Sequence, residues 1–138
     1  MGRVTVDVKV LNLDDIRRAE RHEIPAEKIR TAVIPSLVDT GATFFCLPQT
    51  VIDQLGLPFN RVRQTRTITG PIEVKVYGGA RLELQDRACD VEVVALPGNT
   101  QPLLGQLPLE AMDFWVDPTN QRLVGNPEHG GQWMAEVF

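Results

Sequence analysis

Leu37-Val38-Asp39-Thr40-Gly41-Ala42 decides how this chain is read. Two apolar residues lead a strand into an aspartate, and a hydroxyl, a glycine and a small alanine follow. A carboxylate delivered onto a sharp turn in this way has little side-chain bulk around it. Gly41 lets backbone approach the carboxylate or turn through positive φ, which a Cβ resists. Well downstream, Pro102-Leu103-Leu104-Gly105-Gln106 again runs an apolar pair into glycine. Two such carboxylates held against one water make a catalyst. Like charges about 3 Å apart cannot both ionise, so such a pair shares a proton and titrates as a unit. Asp39 also suits the start of an ordinary β-turn, where Asp and Gly are common.

The bounds set by composition agree with a small enzyme or binding module. With 138 residues, the chain can bury one core but not two lobes, so we expect a single domain over 1–138, its core at about 28–124 and a tail at 125–138. The hydrophobic fraction of 43% and mean hydropathy of −0.11 are those of a folded, water-exposed protein. A formal net charge of −4 argues against nucleic acid as a partner, since phosphates need a basic surface. No apolar run reaches membrane-spanning length, so no membrane partner is expected. Met1-Gly2-Arg3-Val4-Thr5-Val6 lacks the apolar stretch of a signal peptide, which predicts a cytoplasmic location. Cys46 and Cys89 have no metal-like spacing and are expected to be reduced and buried. His22 and His129 are isolated and expected at the surface, so neither a metal nor a cofactor is expected.

Patterning places these motifs on short elements. Val4, Val6, Val8 and Val10 share one face of a first strand. The charged run Asp14 to Arg30, broken by Pro25, reads as part helix and part exposed connection. A strand over about Lys28 to Val38 tolerates Pro35 only at an edge or bulge. Pro48 starts a helix whose stripe is Val51, Ile52 and Leu55, with Gly56 as its stop. Arg63 to Thr69 and Ile72 to Tyr77 read as a hairpin about Gly70-Pro71, and Arg81 to Leu84 and Ala88 to Leu96 as another pair. Leu107 to Met112 suits a short helix. Phe114-Trp115-Val116 and Arg122-Leu123-Val124 flank a turn at Asp117-Pro118-Thr119-Asn120, with Trp115 expected in the core and Trp133 at an interface. The Gly/Pro-rich stretch from Gly125 to Gly131 is expected to be loosely ordered.

The Asp-Thr-Gly-Ala turn after an apolar strand, followed by a glycine-containing hairpin and then Leu103-Leu104-Gly105, resembles the signature elements of the aspartic proteases. The similarity is to their retroviral-type, retropepsin-like branch and its small bacterial single-domain members, over roughly Arg30 to Leu123. That resemblance implies a mainly β, closed β-barrel-like acid-protease fold with one or two short helices and one lobe per chain. It implies an aspartic endopeptidase in which Asp39 is catalytic and Thr40, Gly41 and Ala42 support its loop. The Thr40 hydroxyl would bond across a twofold axis, and Leu103, Leu104 and Gly105 would pack behind the loop. Thr69, Gly70 and Pro71 fall where the family has its flap, a hairpin that closes over substrate. The chain holds one Asp-Thr-Gly, so a dyad needs two copies, each contributing Asp39. The expected partners are therefore a second copy of the chain and a peptide substrate. Pro71 departs from glycine-rich flap tips because it stiffens a turn and removes an N–H. That departure leaves a second reading, a catalytically silent dimerisation or peptide-binding module that kept the motif. Arg61, Arg63 and Arg66 read first as a solvated strand face and second as a preference for acidic substrates.

Overall fold

A computed structural model describes residues 3–135. Met1 and Gly2, which open the N-terminal stretch read above, and the last three residues of the 125–138 tail lie outside the described residues.

The valine alternation makes strand β1 (Thr5–Asn12), with Val8 and Val10 fully buried and Thr5, Asp7 and Lys9 facing out. Asn12 ends the strand and caps helix α1 (Leu13–Glu20), its side-chain oxygen accepting the Asp15 N–H at 2.9 Å. The charged stretch is ordered by Asp15, which is 2% exposed and accepts both the Arg30 backbone N–H and its guanidinium. That guanidinium holds the Asp15 carboxyl below the usual carboxylate range. A 3-10 turn at Ala26–Lys28 then leads into β2 (Thr31–Val38). Beyond these come β3 (Phe45–Pro48), α2 (Gln49–Leu55), β4 (Phe59–Thr67), β5 (Gly70–Leu84) and β6 (Arg87–Leu96). The chain continues with β7 (Leu103–Leu104), α3 (Gln106–Ala111), β8 (Phe114–Asp117) and β9 (Arg122–Gly125). Pro48 lies one residue outside α2 as its cap, and Gly56 closes the helix at φ +63°.

Among the described residues, seven strands pair in the order β1-β2-β7-β3-β6-β5-β4, and β1 also pairs with the far half of β5. The pairing thus returns to its start, the barrel-like and mainly β arrangement that the motifs imply. Pro35 sits opposite Asp7 of β1, and β2 meets β7 only at Leu37 and Val38, so the proline occupies a locally open edge. Alternation divides residues 72–84 into two strands, but β5 runs through. A register shift between Tyr77 and Ala80, where Gly78 and Gly79 sit, bends it without ending it. One strand can therefore carry a projecting arm at one end and a barrel wall at the other. The main core gathers Val8, Val10, Phe45, Leu47, Ile52, Leu82, Val93, Leu104 and Met112. A smaller cluster of Cys46, Val74, Val76 and Val94, with Phe44, Leu96 and Leu103 against it, occupies the alternate positions of the same strands.

The stretch expected to be loosely ordered is pinned instead. Asp113 is 8% exposed; its carboxylate lies 2.6 Å from His129 Nδ1 and accepts the Asn126 side-chain N–H at 3.0 Å. Asn126 also caps a 3-10 turn at Pro127–His129. Arg87 stacks 4.7 Å from the Phe114 ring and donates to the carbonyls of Met112, Asp113 and Gly131. His129 is accordingly a close polar partner of Asp113 with its side chain 14% exposed, not a surface residue. Turn-rich composition shows where a chain bends; it does not show that two distant side chains will hold the bend.

Candidate active site

The Asp39 loop leaves and returns along a single two-residue strand. Strand β2 runs parallel to β7, pairing Leu37 with Leu103 and Val38 with Leu104, and the Asp39 N–H donates to the Leu104 carbonyl at 3.0 Å. Strand β3 then runs antiparallel to β7, pairing Phe45 with Leu104 and Cys46 with Leu103. The first N–H groups of α3, which have no partner inside a helix, are used on the loop. Gln106 N–H donates to the Ala42 carbonyl at 2.8 Å and Leu107 N–H to that of Thr43 at 2.9 Å. Gly105 makes this crossing possible, since a Cβ there would stand 2.4 Å from the Phe44 carbonyl oxygen and 2.8 Å from that of Ala42. The two motifs read from the sequence are thus one structural unit.

Within the loop, Gly41 N–H donates to Asp39 Oδ1 at 2.9 Å and Ala42 N–H to the Asp39 carbonyl at 3.0 Å. Asp39 does start a β-turn, and that turn orients its carboxylate. The side chain is half-buried, and among the described residues its Oδ2 has no hydrogen-bond partner. Thr40 is exposed, and its hydroxyl has no partner among the described residues either. A cleft of about 490 Å³ opens beside Asp39 and Thr40 against Leu37, Val116 and Pro118. A second, of about 290 Å³, lies between Thr40, Gln106 and Trp115. On β3, burial pushes the Cys46 thiol up to about 11, with the Asp39 charge a smaller contribution.

The hairpin of β4 and β5 closes on Ile68 and Thr69, with Thr67 paired to Gly70 at φ +123°. The Thr67 hydroxyl donates to the Gly70 carbonyl at 2.7 Å. The turn therefore falls two residues before Gly70-Pro71. Thr69 is in the tip, Gly70 closes it, and Pro71 stands on the strand opposite Arg66. A proline there does not stiffen the tip, and what remains of the departure is the one backbone N–H it removes from the strand. Ile68, fully exposed at the tip, carries no sequence signal of its own.

A family model described as "gag-polyprotein putative aspartyl protease" matches residues 27–111, the span that holds the Asp39 loop, the hairpin and Gly105. The chain belongs to this aspartyl protease family. Its fold is similar to the solved structure of EIAV protease complexed with the inhibitor HBY-793. The TM-score is 0.52 at 17% identity, over 79% of this chain and 86% of that one. No curated protein matches the sequence. The retropepsin-like resemblance and the acid-protease fold read from two short motifs are both borne out.

Two aromatic residues of this family member escaped the sequence reading. Trp115, expected in the core, is 46% exposed because β8 alternates and Phe114 takes the inward place. Phe44 stacks under the Arg63 guanidinium at 4.9 Å, just past the Asp39 loop. The signal was present in Phe44-Phe45: consecutive strand residues point to opposite faces, so one of the two rings had to leave the main core. Trp133 is 49% exposed and donates its indole N–H to the Ala111 carbonyl at 3.2 Å. Cys46 is buried and Cys89 half-buried, and both are free thiols. Among the described residues no group of three His, Cys, Asp or Glu side chains is placed to hold a metal ion. No helix among them is long and apolar enough to cross a membrane.

Proposed function

We propose that the protein is an aspartic endopeptidase that works as a homodimer, with water activated between the Asp39 carboxylates of two copies. The observation that carries this reading is the Asp39 carboxylate itself. One oxygen is fixed by the Gly41 N–H, the other has no partner among the described residues, and both sit on a loop locked from behind by Gly105 and α3. A single copy has one such group, and the hydrolytic step needs two. In the dimer one carboxylate accepts the proton of the attacking water while its counterpart donates one to the scissile carbonyl. The attack forms a bond from the water oxygen to that carbon, and the C–N bond then breaks as the amine leaves protonated. Thr40, whose hydroxyl has no partner among the described residues, stands at the exposed edge of the loop, where it can bond its symmetry mate and hold both loops in one geometry. The hairpin tipped by Ile68 and Thr69 covers the cleft and excludes water.

The test combines mass with cleavage. Light scattering at micromolar concentration should report about twice the chain mass of 15.4 kDa. A peptide library should be cut by the parent, and cutting should be blocked by a pepstatin-type inhibitor and lost in Asp39→Asn. A monomer that cleaves, or an Asn variant as active as the parent, overturns the proposal.

A further inference from the structure

We infer that the cleft selects peptides carrying an acidic side chain, which Arg63 recognises beside an apolar subsite; this takes the proteolytic reading as its ground. The subsite is framed by the half-buried Phe44 and Leu103, which flank the smaller, buried apolar cluster. Partners across the β4–β5 hairpin share a face, so Arg63 lies on the same side as Val74, and Val76 follows two residues along. Val74 and Val76 pack with Cys46 and Val94, and Phe44 and Leu103 flank them. Phe44 follows directly on the Asp39 loop and Leu103 pairs with Leu37 and Cys46, so this apolar surface begins at the catalytic loop and reaches the hairpin. Arg63 stands at its far end.

Three observations make Arg63 a recognition group and not only a solvated cation. Its guanidinium carbon lies 4.9 Å from the Phe44 ring centre, a cation–π contact that restrains the side chain. Among the described residues no carboxylate lies within ion-pair distance of it. The nearby Glu92 is already held by Arg61 and Asn60. The hairpin itself is cationic: residues 59–77 carry Arg61, Arg63, Arg66 and Lys75 against one carboxylate, Glu73, on a chain of net charge −4. A guanidinium pre-ordered by stacking forms a two-point contact with a carboxylate at reduced entropic cost. The surrounding positive field draws acidic peptides to the cleft.

The experiment uses a randomised peptide library in two formats, cleavage by the parent protein and binding to full-length Asp39→Asn. The best sequence is then remade in Glu and Gln forms at the enriched position. Glu or Asp should be enriched at one position, and the Glu form should be favoured about three- to tenfold over Gln, in KM rather than kcat and more strongly at low salt. Arg63→Gln should remove the preference, and Arg63→Glu should transfer it to Lys or Arg at the same position. A purely structural Phe44–Arg63 stack would lower stability without changing which residue is selected. Absence of acidic enrichment in both formats, or a preference unchanged in Arg63→Glu, overturns the inference. Failure of the parent to cleave any peptide counts against the proteolytic reading, and binding to Asp39→Asn still decides this one.

Discussion

Asp39 and Asp113 are both aspartates at the joints of strands, and their surroundings could hardly differ more. Asp39 is half-buried, with one backbone donor on Oδ1 and nothing among the described residues on Oδ2. Asp113 is 8% exposed, and its carboxylate takes His129, the Asn126 amide and the Met134 N–H. On the proposed mechanism, the difference separates a working carboxylate from a structural one. A group whose acceptor sites are filled is committed to holding the fold; a group oriented by a single bond keeps an acceptor site for a substrate water. Burial alone does not separate them, and partner count does.

The contrast breaks most directly by exchanging each carboxylate for an amide. Asp39→Asn keeps the Gly41 contact but removes the proton acceptor, so cleavage should fall about 10²- to 10⁴-fold with the unfolding midpoint unchanged. Asp113→Asn should do the reverse, lowering the midpoint because an amide in that place meets His129 and the Asn126 N–H with the wrong charge. Rates on a peptide substrate and thermal melts, run on both variants, check the double dissociation. If both variants lose activity and stability together, the two sites are not separate.

Gly105→Ala tests whether the loop behind Asp39 is as tightly crossed as the geometry states. A methyl placed 2.4 Å from the Phe44 carbonyl forces the loop and α3 apart, at a cost of about 2–4 kcal/mol in urea unfolding. Wild-type stability in that variant would mean that the crossing relaxes freely.

The acid side of the stability curve sharpens the comparison. His129 holds the Asp113 carboxyl below its usual range, and the Asn126 amide acts in the same direction. A carboxyl with a depressed folded value binds its proton more weakly in the native state than in the unfolded one. Its stabilisation is therefore complete above the ordinary carboxylate range near pH 4 and is lost as pH falls through the lower folded value. The gap in melting temperature between the parent and Asp113→Asn should be widest at neutral pH and narrow below about pH 4. Melts across a pH series measure it, and a gap independent of pH would show that the Asp113 charge contributes nothing.

Trp115→Ala carries the smallest expected effect on the single chain. The indole is 46% exposed beside Thr40, so the monomer fold should survive, while the proposed dimer should weaken about tenfold or more. Sedimentation equilibrium reads that shift directly. An unchanged dissociation constant would place the twofold contact elsewhere.

Sequence reading located the elements that local chemistry dictates. The alternating valines of β1, the strand before Asp39, the glycine stop of α2 and the two glycine motifs all carry their signals within a few residues. It misplaced features set by neighbours. The hairpin turn moved from Gly70-Pro71 to Ile68-Thr69 because strand pairing, not composition, selects the loop, and Trp115 faces out because Phe114 took the inward place.

By itself the sequence determined that a carboxylate ends an apolar strand, that a second glycine motif lies downstream, and that one copy of the motif exists per chain. These follow from covalent order and from the short-range limits on strands, turns and glycine. Only the tertiary structure decided that β7 lies between β2 and β3, so that Gly105 meets the backbone of residues 42–44. It alone decided that Asp113 is joined to His129 and that Arg63 lies on Phe44. Each of those contacts joins residues far apart along the chain, and its energy exists only after the strands have assembled.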